Sequence, residues 1–167
     1  MSTITKRGNV TIKSDLSKLS ALVEQMKKTK STVTQVGVLG NKVTRDKDAL
    51  TNAMIGARHE FGVKSGKHQL PRRSFLKMPV ETKLPERKEE LGTAAKTAIK
   101  TLDFGKFYKK LGSLCENIVH TAFATKGFGT WKELKYPNAK KRKSSAGKVL
   151  IDTTQLMNSI SSRVAQK

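Results

Sequence analysis

Phe104-Gly105-Lys106-Phe107-Tyr108-Lys109-Lys110-Leu111-Gly112-Ser113-Leu114-Cys115-Glu116-Asn117-Ile118-Val119-His120-Thr121-Ala122-Phe123 carries the most sustained pattern in the chain. Phe104, Phe107, Tyr108, Leu111, Leu114, Cys115, Ile118, Val119 and Ala122 recur at steps of three and four, the repeat of a single helix face. At ~1.5 Å per residue such a helix spans roughly 30 Å, the width of a small domain. Residues 104–123 are therefore expected to form the spine of the core.

Working back toward the N-terminus, residues 86–102 read as a weaker helix, apolar through Leu91, Ala94, Ala95, Ala98 and Ile99. Pro79 and Pro85 bracket a segment expected to become helical only after them, and residues 63–76 read as loop. Residues 46–61 carry Leu50, Met54, Ile55, Ala57 and Phe61 at helical spacing, with Gly62 placed to end that helix. Residues 32–39 alternate and are β-branched, which predicts a strand. Leu16, Leu19, Leu22, Val23 and Met26 predict a helix over 15–29, capped by Ser14 and packed through one face. Val10-Thr11-Ile12 reads as a short strand, and about residues 1–8 as a flexible tail.

Beyond the spine, residues 127–148 lack periodicity and read as a long basic loop, anchored by Trp131. Asp152 and Thr153 are candidate caps for a short helix holding Leu156, Met157 and Ile160, and residues 162–164 for a last strand. The expected fold class is α+β: a small antiparallel sheet packed with helices, within a single domain over 1–167.

The chain has 167 residues, 34 Lys and Arg against 13 Asp and Glu, and a formal net charge of +21. That surface attracts polyanions over roughly 8–10 Å in physiological salt, whether nucleic acid, an acidic protein ring or an anionic membrane. The lone Cys115 excludes an intramolecular disulfide and lies in the spine pattern, so a buried, inert thiol is expected. No apolar run approaches the roughly 20 residues that cross a bilayer, and residues 1–7 lack the apolar stretch of a signal peptide. The expectation is a protein held in a cytoplasm until it is incorporated elsewhere, with no membrane partner.

Catalytic motifs fail one after another. There is no phosphate-binding glycine loop ending in Lys-Ser/Thr and no Gly-x-Ser-x-Gly elbow. His59-Glu60 opens like a zinc-protease motif, but the second histidine would stand at Val63. Paired-carboxylate clusters are missing, which argues against a small hydrolase or nuclease, and no catalytic residue, cofactor or metal is expected. Nucleic-acid binding fits more easily. Lys140-Lys141-Arg142-Lys143 lies near Trp131 and Tyr136, joining cations for phosphate to rings for stacking, and Arg72-Arg73 forms a second focus. No zinc finger or other reading motif points to sequence specificity.

Two stretches in order carry a family resemblance. Ala57-Arg58-His59-Glu60-Phe61-Gly62, followed by Leu70-Pro71-Arg72-Arg73-Ser74-Phe75-Leu76, is the first. Trp131-Lys132-Glu133-Leu134, leading through Lys143 to Leu150-Ile151-Asp152-Thr153-Thr154-Gln155-Leu156-Met157-Asn158-Ser159-Ile160, is the second. Together they resemble the phage virion morphogenesis family, whose members act in tail completion and head–tail joining. Ser74 stands where that pattern has proline, and Thr154 where it has a glycine tolerant of positive φ.

The resemblance implies a structural virion protein at the neck between tail and capsid, forming a ring, six-fold to match a tail, around the DNA channel. Its partners would be other neck, tail-terminator or connector proteins. Read physically, Glu60-Phe61-Gly62 ends a helix with an apolar anchor, and Pro71 and Phe75 pin a loop that displays Arg72 and Arg73. Leu156 and Ile160 dock the C-terminal end on one helix face, with Asp152 as its cap. The alternative reading is a nonspecific DNA-binding or packaging accessory protein outside the virion.

Overall fold

The computed structural model of the protein describes residues 2–7, 10–39, 51–65, 68–133, 149–151 and 154–167. In chain order the elements are β1 (Ser2–Arg7), β2 (Val10–Asp15), α1 (Ser17–Thr29), β3 (Thr32–Val38), α2 (Asn52–Phe61), β4 (Val63–Ser65), β5 (His68–Leu70), α3 (Lys77–Lys83), a 3-10 turn (Pro85–Arg87), α4 (Lys88–Thr101), α5 (Phe104–Ala124), α6 (Gln155–Asn158) and β6 (Ile160–Gln166). The fold is α+β: the described strands form three two-stranded antiparallel ribbons, and helices pack on the one made by β3 and β6.

The ribbon that organises the molecule joins distant parts of the chain. β3 pairs antiparallel with β6, from Thr32 opposite Gln166 to Val38 opposite Ile160. The spine helix α5 lies across this ribbon. A methyl group at Gly112 would stand 2.5 Å from Ser162 Oγ, so the missing side chain lets the helix approach the strand closely. Thr34 Oγ1 donates to the Tyr108 carbonyl at 3.1 Å, which ties β3 to the same helix.

Asp103 starts α5 by accepting from the Lys106 backbone N–H at 3.2 Å, and its carboxyl is held below the ordinary aspartate range mainly by that bond. α4 packs alongside through buried Ala98, with Lys110 Nζ 2.6 Å from Glu90 Oε1 across the pair. Beneath α5 the core gathers Phe75, Val119, Ala122, Phe123, Trp131, Val149, Leu156 and Ile160. Cys115 is buried, and burial pushes its thiol above the usual cysteine range.

Several elements differ from the sequence expectation. Ser2–Arg7, expected to be flexible, is a strand paired with Val10–Asp15, from Ser2 opposite Asp15 to Arg7 opposite Val10. That ladder extends the expected short strand and places Ser14 within β2. Helix α1 therefore begins at Ser17 behind Leu16, which makes no side-chain capping bond. The face through which α1 was expected to pack holds no buried residue among those described. Residues 63–76 are not all loop, since β4 pairs with β5. Pro79 lies in the first turn of α3, where a missing N–H costs no helical bond, so the helix starts before the proline. Ile160 begins β6 and is not on the short helix with Leu156, although both are buried in the same core.

Candidate functional site

The two motif stretches meet beside a buried carboxylate that ties the ends of the first of them together. Thr51 starts α2 by accepting from the Met54 N–H at 3.2 Å, and the helix delivers Glu60 to the interior at its last turn. Glu60 is 6% exposed. Its Oε2 accepts from the backbone N–H groups of Phe75 at 2.9 Å and Leu76 at 3.0 Å. Its Oε1 accepts from the Lys77 N–H at 3.1 Å and from the Ser74 hydroxyl at 2.5 Å. These N–H groups lie at the entry to α3, whose residue Leu76 offers no side-chain cap, so the carboxylate of one helix satisfies the orphan donors of another. Ser74 completes the arrangement by accepting from the Met78 N–H at 3.0 Å. A proline at that position would bring neither the hydroxyl donor nor the acceptor.

Arg73 and Trp131 bind the second motif to the first. The Arg73 backbone N–H donates to the His59 carbonyl at 2.8 Å. Its guanidinium is buried and donates to the carbonyls of Lys132 at 2.9 Å and Glu133 at 3.2 Å. Trp131 Nε1 donates to the Ser74 carbonyl at 2.9 Å. Its ring meets Phe123 edge-on at 5.7 Å, and Phe123 meets Phe75 at 5.3 Å. Gly127, at φ 66, makes room for that tryptophan, because a Cβ there would overlap the indole. Gly56 lets α2 lie against Phe75 and Leu156, which a Cβ would meet at 3.3 and 3.4 Å.

The predicted residues thus divide. Glu60, Phe75, Trp131, Leu156 and Ile160 converge on this junction, as motifs that hold structure do. Arg73 is corrected: it is not displayed as a contact but buried, because the carbonyls of residues 132 and 133 take up its guanidinium. Phe61 is corrected too, being 73% exposed at the end of α2 and no anchor. Gly62 has φ 76 and ψ 166, a region open to glycine, and a Cβ there would stand 3.0 Å from the Arg72 N and 3.1 Å from the Leu70 carbonyl. Arg72 is exposed, with Nε donating to the Glu60 carbonyl at 3.2 Å. Pro71 is half-buried beside it. Lys140, Lys141, Arg142, Lys143 and Asp152 lie outside the described residues.

Outside the junction, Phe61, Lys64, Leu70, Arg72 and Lys132 border a groove of about 690 Å³. Among the described residues no group of three or more His, Cys, Asp or Glu side chains could hold a metal ion, and no helix is long and apolar enough to cross a membrane. The capping role of Glu60 was not read from the sequence. A signal existed in a helix start without its own cap, at Leu76, preceded by Ser74. No family model, curated protein or solved structure matches the chain.

Proposed function

We propose that the protein is a structural component of a tailed-phage virion, acting in tail completion or head–tail joining at the neck. In this reading it is made in the host cytoplasm and assembles as a ring, six-fold to match a tail, around the DNA channel. The observation that carries the reading is the junction itself. The described parts of the two stretches that resemble the virion morphogenesis family, 57–76 and 131–160, close on each other through Arg73 on the Lys132 and Glu133 carbonyls, Trp131 on the Ser74 carbonyl, and Phe75 in one core with Trp131, Leu156 and Ile160. The bonds that Glu60, Arg73 and Trp131 make among the described residues end on backbone groups or on the Ser74 hydroxyl, the chemistry of holding a shape. A net charge of +21 on so small a chain supports partners that are polyanionic, whether DNA or acidic neighbouring proteins.

The test is genetic and visual. A nonsense mutation in this gene should leave filled heads and finished tails that fail to join, seen by electron microscopy of the lysate, and the protein should be present in wild-type particles. Intact, infectious particles that lack the protein would overturn the proposal and favour an accessory role outside the virion.

A further inference from the structure

We propose that the groove beside Phe61 is a binding site for single-stranded polynucleotide, with the phenyl ring stacking on a base while Lys64, Arg72 and Lys132 receive the phosphates. The inference stands apart from the neck reading, because it needs only the groove of one chain.

The first observation is the ring. A phenylalanine left 73% exposed presents a large apolar face to water, and it does so on a rigid mount. Glu60, its neighbour, is held by four hydrogen bonds on its carboxylate, while the Glu60 carbonyl accepts from Arg72 Nε at 3.2 Å. On the other side Gly62 brings the backbone within contact of Leu70 and Arg72. Phe61 and Arg72 are therefore fixed to one frame, and little ordering remains to be done on binding.

The second observation is charge. Lys64, Arg72 and Lys132 border the groove, and among the described residues none of the three is in an ion pair. The single acid among the described residues of the groove, Glu133, is already matched by Lys126 Nζ at 2.7 Å. Among the described residues the groove thus offers cations outside any ion pair around an exposed ring, in a space of about 690 Å³. Duplex DNA would meet the cations but keeps its base faces stacked inside. An acidic peptide would meet the cations without needing a planar face. A single strand uses both features, since every base has a π-face and every linkage a phosphate.

Because a chain of this charge attracts any polyanion, the experiment must separate the ring from the charge. Phe61→Trp in the full chain adds an exposed indole to the buried Trp131. Titration with a twelve-residue oligothymidylate should quench the new fluorescence to saturation, whereas heparin should bind without quenching. Phe61→Ala should weaken oligothymidylate about tenfold, the loss of one stacked base, and leave heparin affinity unchanged. Lys64→Ser with Lys132→Ser should flatten the slope of log affinity against log salt by about 1.4, or two single-strand phosphate contacts. The proposal is overturned if oligothymidylate, duplex and heparin bind Phe61→Ala and wild type alike and the fluorescence of Phe61→Trp is not quenched. It is equally overturned if polyglutamate displaces the oligonucleotide at lower concentration, or if Phe61→Ala alters only the oligomeric state.

Discussion

Helices α5 and α1 carry the same kind of apolar stripe, and the fold uses them differently. In α5 the stripe is covered over its second half: Leu114, Ile118, Val119, Ala122 and Phe123 are buried, while Phe104, Phe107, Tyr108 and Leu111 are half-buried. Along α1 and the Leu16 before it, Leu16, Leu19, Val23 and Met26 of the stripe are 43–56% exposed, Leu22 is half-buried, and no residue of the helix is buried. Spacing of three and four states which side of a helix is apolar; burial depends on what the rest of the chain brings to that side. For α5 it brings a ribbon closed from both ends of the sequence and a buried polar junction that aims Phe75 and Trp131 at it.

That difference sets a scale of expected effects. Phe123→Ala removes a ring that touches both Phe75 and Trp131, and should lower unfolding free energy by about 3–5 kcal/mol in urea titrations at unchanged slope. A loss below about 1 kcal/mol would mean that the aromatic cluster is loosely packed. Thr154→Gly should act in the opposite direction. Thr154 sits at φ 59, where a β-branched residue is strained by roughly 1–2 kcal/mol, while glycine costs about 0.5–1 kcal/mol in chain entropy. The net gain of about 0.5–1 kcal/mol should raise the urea midpoint, and a drop would show that the threonine side chain is worth more than its strain. Leu19→Ala should change the stability of the isolated chain by no more than about 0.5 kcal/mol, as exposed positions do. A cost of about 2 kcal/mol or more would erase the contrast between the two helices.

Much of the architecture was legible because it rests on local pattern. The spine was expected over 104–123 and is Phe104–Ala124, and the strand expected over 32–39 is Thr32–Val38. What was not legible depends on partners far away in sequence. Arg73 looked like an exposed cation until the carbonyls of Lys132 and Glu133, some 60 residues on, are placed beside its guanidinium. Ser2–Arg7 has little apolar character, and its strand exists through pairing with Val10–Asp15. Ile160 reads equally well as the end of a helix or the start of a strand, and its place opposite Val38 decides. Of the candidate site, the motif residues could be named in advance, but not that a single carboxylate would cap α3 and anchor the motif that follows. Nothing in spacing alone tells a capping glutamate from a solvated one.

Glu60→Gln keeps the shape of the side chain and replaces its carboxylate by an amide. An amide offers one acceptor oxygen where two are in use, and turns an NH2 group toward backbone donors. Urea unfolding of the variant should show a loss of about 3 kcal/mol, the scale of charge-assisted bonds to a buried group. Hydrogen exchange should be faster at the amides of Phe75, Leu76 and Lys77, whose acceptor is weakened. A variant as stable as wild type, with those three amides equally protected, would contradict the capping of α3 by the Glu60 carboxylate.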